Sequence, residues 1–258
     1  MSKRSLIVLP DESSKPFHDA INSAMKSLQI KMFVFSDPGL IAAVIAAHKR
    51  GVKVRVMLNA SRRDGEDDNK EAYQLLKQAG IDVKNSSPDF GITHEKSMVV
   101  DESVAFIKSL NWATKNLGGT RDYAITTTHP RGVAEIIECF DADWNRQEFK
   151  PGLSSHLIWC PVNGRDRIAR FIDEAKDTLF IQNERYQDTV IIERLVRARN
   201  RGVKIHLMAR PPHALKKEKI LEGIGGLRIM DDVGIKIHKL KNLNFHGKML
   251  LDDGLRAM

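Results

Sequence analysis

Cysteine is nearly absent from this 258-residue chain, with Cys139 and Cys160 the only two. So little sulfur excludes a disulfide-stapled scaffold. The pair has neither metal-ligand nor redox-motif spacing, so two thiols in a reducing compartment are expected and no zinc site is built on them. Aromatic residues are 6% of the chain, which leaves no obvious platform for extended stacking on nucleic-acid bases. Long apolar runs are missing too: the longest, Leu40 to Ala47, is eight residues, against about 20 for a membrane-spanning helix. Behind Lys3 and Arg4, the stretch Leu6 to Leu9 is shorter than the roughly 7 to 15 residue core of a signal peptide. A cytoplasmic protein is expected, able to sit at a membrane surface. Glycine (17) and proline (9) occur at ordinary levels, which excludes a collagen-like or low-complexity chain. What is present, 42% hydrophobic residues, suffices for a substantial core in one large or two small domains.

Charge is distributed unevenly. Lys and Arg number 41 against 33 Asp and Glu. Residues 1–151 hold 21 bases and 20 acids, whereas residues 152–258 hold 20 and 13. Within the second half, Arg194, Arg197, Arg199, Arg201, Lys204, Arg210, Lys216, Lys217 and Lys219 face Glu218 alone over Arg194 to Lys219. Such a stripe suits phosphates of nucleic acid or of anionic lipid headgroups, or is a solvated helix face and loop.

The chain also repeats itself. AHKRGVKVRVM at Ala47–Met57 returns as ARNRGVKIHLM at Ala198–Met208, and SLQIKMFVFSD at Ser27–Asp37 returns at the same offset as TLFIQNERYQD at Thr178–Asp188. A period this long marks a duplicated domain rather than a solenoid. In each copy an amphipathic helix (His18–Ser27; Ile168–Asp177) leads to a strand (Gln29–Phe35; Leu179–Asn183) and then to a second helix. That second helix stops at Gly51 or Gly202, where a left-handed residue is expected. Val52–Leu58 and Val203–Met208 follow as strands. Strand, helix, strand implies a right-handed crossover and parallel pairing. Lys150, Pro151 and Gly152 interrupt the pattern, which puts the domains at 1–151 and 152–258.

Past those strands each copy reaches the same triplet. HEKSMVVD gives His94, Lys96 and Asp101; HGKMLLDD gives His246, Lys248 and Asp253. Residue frequencies predict roughly 0.06 chance matches to H-x-K-x4-D per chain, so two in register are not accidental. On a strand, i and i+2 share a face, so each His and Lys would project together. An imidazole beside an ammonium is a poor metal site and a good anion site: the lysine holds a phosphate oxygen while the histidine serves as nucleophile or acid. Gly223, Gly225 and Gly226 follow a helix-like segment, so a helix end and turn is expected there rather than a phosphate loop. Arg185 and Tyr186 stand at the strand edge where open α/β sheets bind ligands.

These residues resemble the phospholipase D superfamily, whose hallmark is two H-x-K-x4-D motifs followed by x6-G-S-x-N. The resemblance implies an α/β fold of two tandem phospholipase D-like domains, each a mixed β-sheet flanked by helices. It implies a pseudo-twofold axis that brings both His-Lys pairs to one active site. It further implies attack by one histidine to give a phosphohistidine, proton donation by the other, and no metal or other cofactor. His94 is the expected nucleophile and His246 the acid. Ser109 and Asn111 stand where the family binds phosphate, and Asp122 where a carboxylate orients the catalytic histidine. On that reading Asp101 and Asp253 fix the turn after the strand. Lys108 departs from the family's glycine, and either tolerates ordinary dihedrals, crowds the site or adds a phosphate contact. The second copy's Ser and Asn would fall beyond position 258, so a fragment is expected, lacking the hairpin partner of a Phe245–Leu251 strand and exposing that strand's edge.

Three functions follow from the resemblance. The first is a phosphodiesterase or phosphatidyltransferase acting on phospholipids, like cardiolipin synthase, with a phospholipid or anionic membrane surface as partner. The second is a nuclease, and the third an inactive phosphate- or lipid-binding protein. No obligate protein partner is inferred.

Overall fold

The computed structural model describes residues 3–60, 67–152, 155, 157–209, 217–239 and 243–258, without side-chain detail at 217–223 and 239. The chain divides into two compact units, Met1–Leu157 and Ile158–Met258. Lys150–Gly152 therefore lies inside the first.

In the first unit the elements are β1 (Arg4–Leu9), α1 (Lys15–Ser23), β2 (Ser27–Met32), α2 (Pro38–Lys49), β3 (Lys53–Leu58), α3 (Lys70–Gln78), β4 (Asp82–Asn85), β5 (Ser97–Val100), β6 (Val104–Lys108), α4 (Thr114–Gly119), β7 (Thr120–Thr127) and α5 (Pro130–Trp144). The strands pair in the order β1-β7-β6-β5-β2-β3-β4. β2, β3 and β4 are parallel, while β5 runs antiparallel to β2 and to β6.

The local causes are visible in the chain. The first helix stops at Ser23, before the expected Ser27, because Ala24 is already extended. Asp37 caps α2 by accepting from the Leu40 amide at 3.0 Å, which satisfies one of the helix's orphan N–H donors. Gly51 ends the segment at φ +94°, a conformation costly for any residue with a Cβ. β2 is buried on both faces, as expected for a central strand covered by helices. Leu28, Ile30 and Met32 join Phe17, Ile21, Leu40 and Val44 in the main core.

The second unit contains α6 (Gly164–Glu174), β8 (Thr178–Gln182), α7 (Thr189–Asn200), β9 (Lys204–Ala209), α8 (Lys217–Asp232), β10 (Lys236–Lys239), β11 (Asn244–Phe245), β12 (Met249–Asp252) and β13 (Arg256–Ala257). Its sheet order, β10-β9-β8-β12-β13, repeats β4-β3-β2-β5-β6 strand for strand. β8, β9 and β10 are parallel and β12 is antiparallel to β8. Leu179, Ile181, Leu195, Leu207 and Met230 anchor a separate core.

Three expectations need correction here. The hairpin partner is present: β13 pairs with β12 at Leu251–Ala257 and Asp252–Arg256, and Leu250 exchanges both backbone hydrogen bonds with Met258. The Phe245–Leu251 stretch is two strands rather than one, interrupted at His246–Lys248. Gly223, Gly225 and Gly226 lie inside α8 and do not end it. The cause at Gly226 is close approach, since a Cβ there would collide with the Tyr186 carbonyl oxygen; the left-handed residue comes later, at Gly234 (φ +78°).

Candidate active site

The two H-x-K pairs do not lie on strands, contrary to the alternation argument. His94 and Lys96 occupy the irregular lead-in to β5, and His246 and Lys248 the lead-in to β12. What holds each pair together is instead a direct bond: Lys96 Nζ donates to the carbonyl oxygen of His94 at 2.6 Å, and Lys248 Nζ to that of His246 at 2.7 Å. In the first copy Lys96 Nζ also lies 3.3 Å from His94 Nδ1. Lys96 is buried while His94 is exposed, so the lysine is fixed from within and the imidazole presented outward.

Phe33, which sequence reasoning missed, supports both members. Its ring centroid is 4.5 Å from that of His94, and Lys96 Nζ is 5.0 Å from the ring. At the repeat offset its counterpart is Glu184, whose carboxylate is 3.6 Å from Lys248 Nζ. One copy thus sets its lysine against an aromatic face and the other against a carboxylate. A second missed group sits at the end of β3, where Asn59 Oδ1 accepts from the Thr93 amide at 2.8 Å. Asn69 Nδ2 donates to the carbonyls of Asn59 and Phe33 at 2.9 and 2.8 Å. This ties β2, β3 and the approach to His94 together. Asparagines in loops are too common for sequence alone to have singled these out.

Between His94 and Lys96, Glu95 turns the other way. It accepts from Lys31 Nζ at 2.8 Å and from Ser97 Oγ at 2.6 Å, and Lys31 Nζ also donates to Asp143 at 2.6 Å. Burial opposes the Lys31 charge, but Glu95, Cys139 and Asp143 outweigh it and hold the ammonium above the ordinary lysine range. Glu95, Cys139 and Asp143 are spaced as metal ligands could be, yet the Lys31 ammonium already occupies their centre. Burial first, and Glu95 next, push the Cys139 thiol up to about 12. Both cysteines are free thiols.

Asp101 and Asp253 bind backbone in matching ways. Asp101 accepts from the amides of Met25, Lys26 and Ser27 at 2.7 to 3.2 Å, and Asp253 from those of Lys176, Asp177 and Thr178 at 2.7 to 3.2 Å. Each carboxylate clamps the corner where a helix gives way to the parallel strand. The amides of Thr178 and Asp177 pull the Asp253 carboxyl down to about 2. At Asp101 partial burial opposes ionisation, and the amides of Ser27, Met25 and Lys26 overcome it, lowering its pKa.

Asp122 is fully buried and accepts from Ser109 Oγ and from Thr120 Oγ1, each at 2.6 Å. Ser109 Oγ in turn accepts from the Tyr123 amide at 2.9 Å. Asn111, two residues after Ser109, is also buried, with its Oδ1 unpaired among the described residues. Tyr186 is packed in the second core and donates its hydroxyl to the Met208 carbonyl at 3.0 Å, a structural bond that leaves Arg185 as the more open residue of that pair.

The basic stripe is partly committed internally. Arg194 pairs with Asp173 at 3.2 Å, Arg197 with Glu193, and Arg201 donates to the carbonyls of Ile172 and Asp173. Arg210 and Lys216 lie outside the described residues, as do the side chains of Lys217 and Lys219.

Residues 17–144 match the family described as "Cardiolipin synthase, PLD-like domain". Mitochondrial cardiolipin hydrolase of Mus musculus is 35% identical over 132 residues, 51% of this chain and 57% of its own length. The chain thus spans little more than half the length of that curated relative. Among solved structures, a phospholipase D family member, Nuc, from Salmonella typhimurium superposes with a TM-score of 0.51 at 23% identity, covering 57% of this chain and 97% of its own. Polyphosphate kinase from Porphyromonas gingivalis superposes with a TM-score of 0.73 at 18% identity, covering 99% of this chain and 44% of its own. At these identities the two likenesses speak for the fold.

Proposed function

This chain belongs to the phospholipase D superfamily, and on that premise we propose that it cleaves or transfers the phosphatidyl group of phospholipids through a phosphohistidine. The observation that carries the reading is the doubled His-Lys clasp, the same lysine-to-histidine-carbonyl bond at both motifs.

The chemistry assigned to these residues balances without further reagents. With Nδ1 of His94 turned toward Lys96, attack on phosphorus falls to Nε2. A P–N bond forms as the P–O bond to the leaving alcohol breaks, and a general acid, the role that the family resemblance gives to His246, supplies that oxygen's proton. Water or a second alcohol then displaces the histidine, returning the proton to that acid. Lys96 at the first motif and Lys248 at the second each suit a non-bridging oxygen, where charge grows in the transition state. Ser109 and Asn111 extend that cradle, and Asp122 orients the histidine side of it. Asp101 and Asp253 act at a remove, by fixing the corners that carry the motif strands.

A lipid substrate is favoured by the segment that leads to His94. Phe90 is 49% exposed and Ile92 39% exposed, four and two residues before the nucleophile in sequence, whereas three arginines of the basic stripe are held by local partners. Apolar side chains flanking a phosphate site fit a headgroup at an anionic membrane surface better than a hydrated nucleic-acid backbone. No helix among the described residues is long and apolar enough to cross a membrane. The reading is of a cytoplasmic protein acting at the membrane face.

The test is one EDTA-treated incubation with phosphatidylglycerol vesicles and a single-stranded oligonucleotide, with His94→Ala alongside and products read by mass spectrometry. Lipid loss that requires His94 is expected, and a cardiolipin peak would identify transfer. Intact lipid, or equal loss with His94→Ala, overturns the reading; cleaved oligonucleotide with intact lipid replaces it with a nuclease.

A further inference from the structure

Lys108 stands on β6 directly opposite Lys96, its amide donating to the Lys96 carbonyl at 2.9 Å. That bond carries the β5–β6 register one residue past the start of β5, which makes the two lysines cross-chain neighbours, and like charges so placed repel. The two side chains are comparably buried, Lys96 at 3% and Lys108 at 6% exposed. Their surroundings differ. Lys96 is clasped to His94, whereas Lys108 Nζ is sealed from water with no hydrogen-bond partner among the described residues, lying 4.2 Å from the centre of the Trp112 ring. Burial above all, with Lys96 adding to it and Glu95 opposing, pushes the Lys108 amine well below the ordinary lysine range.

A structural lysine at such a depth would be expected to resemble Lys31, locked between two carboxylates. Packing against Trp112 needs only the aliphatic stem, which leucine or methionine would supply without the cost of burying an unsatisfied nitrogen. Packing alone therefore does not account for the amine. It sits one residue before Ser109, across the hairpin from the lysine that holds phosphate.

We propose that Lys108 is a second anion-binding lysine of the first copy, one that engages a ligand carrying more negative charge than a phosphodiester monoanion. The chemical class is a phosphate dianion, or the five-coordinate phosphorus formed during the reaction, whose extra charge two facing lysines can share. This inference rests on reading His94 and Lys96 as a phosphodiester site. It adds that the site discriminates by charge, which a glycine at position 108 could not do.

The experiment measures binding of inorganic phosphate by calorimetry on the full chain with EDTA, at about pH 8, where phosphate is largely dianionic. Lys108→Met, Lys108→Arg and the unaltered protein are compared, with dimethyl phosphate as the monoanionic control. Lys108→Met is expected to weaken phosphate binding at least about tenfold while leaving dimethyl phosphate within about threefold, and Lys108→Arg to retain most of the affinity. Lys108→Met should also melt at a higher temperature, because it replaces a buried unpaired amine by an apolar chain of similar size. Phosphate affinity unchanged in Lys108→Met, no phosphate binding by the unaltered protein, or a lower melting temperature would overturn the proposal. Unchanged phosphate binding together with His94-dependent lipid turnover sinks this inference alone, whereas turnover indifferent to His94 sinks the functional reading beneath it.

Discussion

Lys31 and Glu95, 64 residues apart, are joined by a 2.8 Å ion pair directly behind the His94–Lys96 lead-in, and the second copy keeps that joint while changing both partners. Where Glu95 becomes Gly247, Lys31 becomes Gln182, whose amide donates to the Gly247 carbonyl at 3.1 Å. The charge is lost from both sides at once, as the cost of an unpaired buried ion requires. Lys31→Met should therefore destabilise the first unit by about 3 kcal/mol or more, since it strands Glu95 and Asp143. Lys31→Gln combined with Glu95→Gly, which imitates the second copy, should recover part of that loss. Urea denaturation of the three proteins measures both, and equal stability of Lys31→Met and the parent would contradict the argument.

The β5–β6 turn carries two non-glycine residues in left-handed geometry, Asp101 at φ +50° and Glu102 at φ +54°, where the β12–β13 turn uses Asp253 at +49° and Gly254 at +69°. A left-handed conformation costs a residue with a Cβ roughly 1–2 kcal/mol, and glycine's greater chain entropy returns about half of that. Glu102→Gly should stabilise the protein by about 0.5–1 kcal/mol, read as a higher denaturation midpoint with turnover unaltered.

Acid should unfasten the corner clamps. The folded Asp253 carboxyl is held at about 2, below the roughly 3.9 of an unfolded aspartate. A carboxyl depressed by folding contributes stability that is fully present above its unfolded pKa and is lost as pH falls through its folded one. The stability of the second unit should thus fall between about pH 4 and pH 2. Asp253→Asn should lower stability at neutral pH and flatten that slope. Asp101→Asn should do the same in the first unit. Thermal melts across this range check the sign, and an unchanged slope would show that the amide bonds are not what depresses the carboxyls.

Phe90 and Ile92 give the lipid reading its own test. Replacing both by serine removes exposed apolar surface from the segment leading to His94 without touching the His-Lys clasp. Turnover of vesicle phospholipid should fall at least about tenfold, in line with the loss of two exposed apolar contacts at a few tenths to 1 kcal/mol or more each. Hydrolysis of a short-chain, water-soluble phosphodiester should change little. Equal loss on both substrates would mean that the segment supports the site rather than the substrate.

Much of this arrangement was legible beforehand. The repeat offset aligned Asp37 with Asp188, put Gly51 and Gly202 at matching helix ends, and gave β2–α2–β3 and β8–α7–β9 as parallel units; the structure adds that both aspartates cap their helices. Local rules sufficed there, because a left-handed glycine and a β-branched run each act within a few residues. Strand alternation failed at His94 and Lys96, where the chain leaves the sheet and the lysine's bond to its own histidine's carbonyl sets their relation. Phe33, Asn59 and Asn69 escaped notice because their contacts are made across 10 to 63 positions and their residue types are unremarkable. Glycine-rich composition also misled at Gly226, which answers a neighbouring carbonyl on another segment and not the helix's own wish to end.

The Asp101 clamp has a kinetic side. Its carboxylate closes on amides 74 to 76 positions earlier in the chain, and Asp253 closes over 75 to 77. The parallel strands β2 and β3 can pair once the crossover helix forms, but the corner feeding them stays open until the motif hairpin has arrived from far downstream. Loop-closure entropy is spent before that contact returns anything. Each copy should accordingly fold late and all at once, with its His-Lys clasp locked only in the final step.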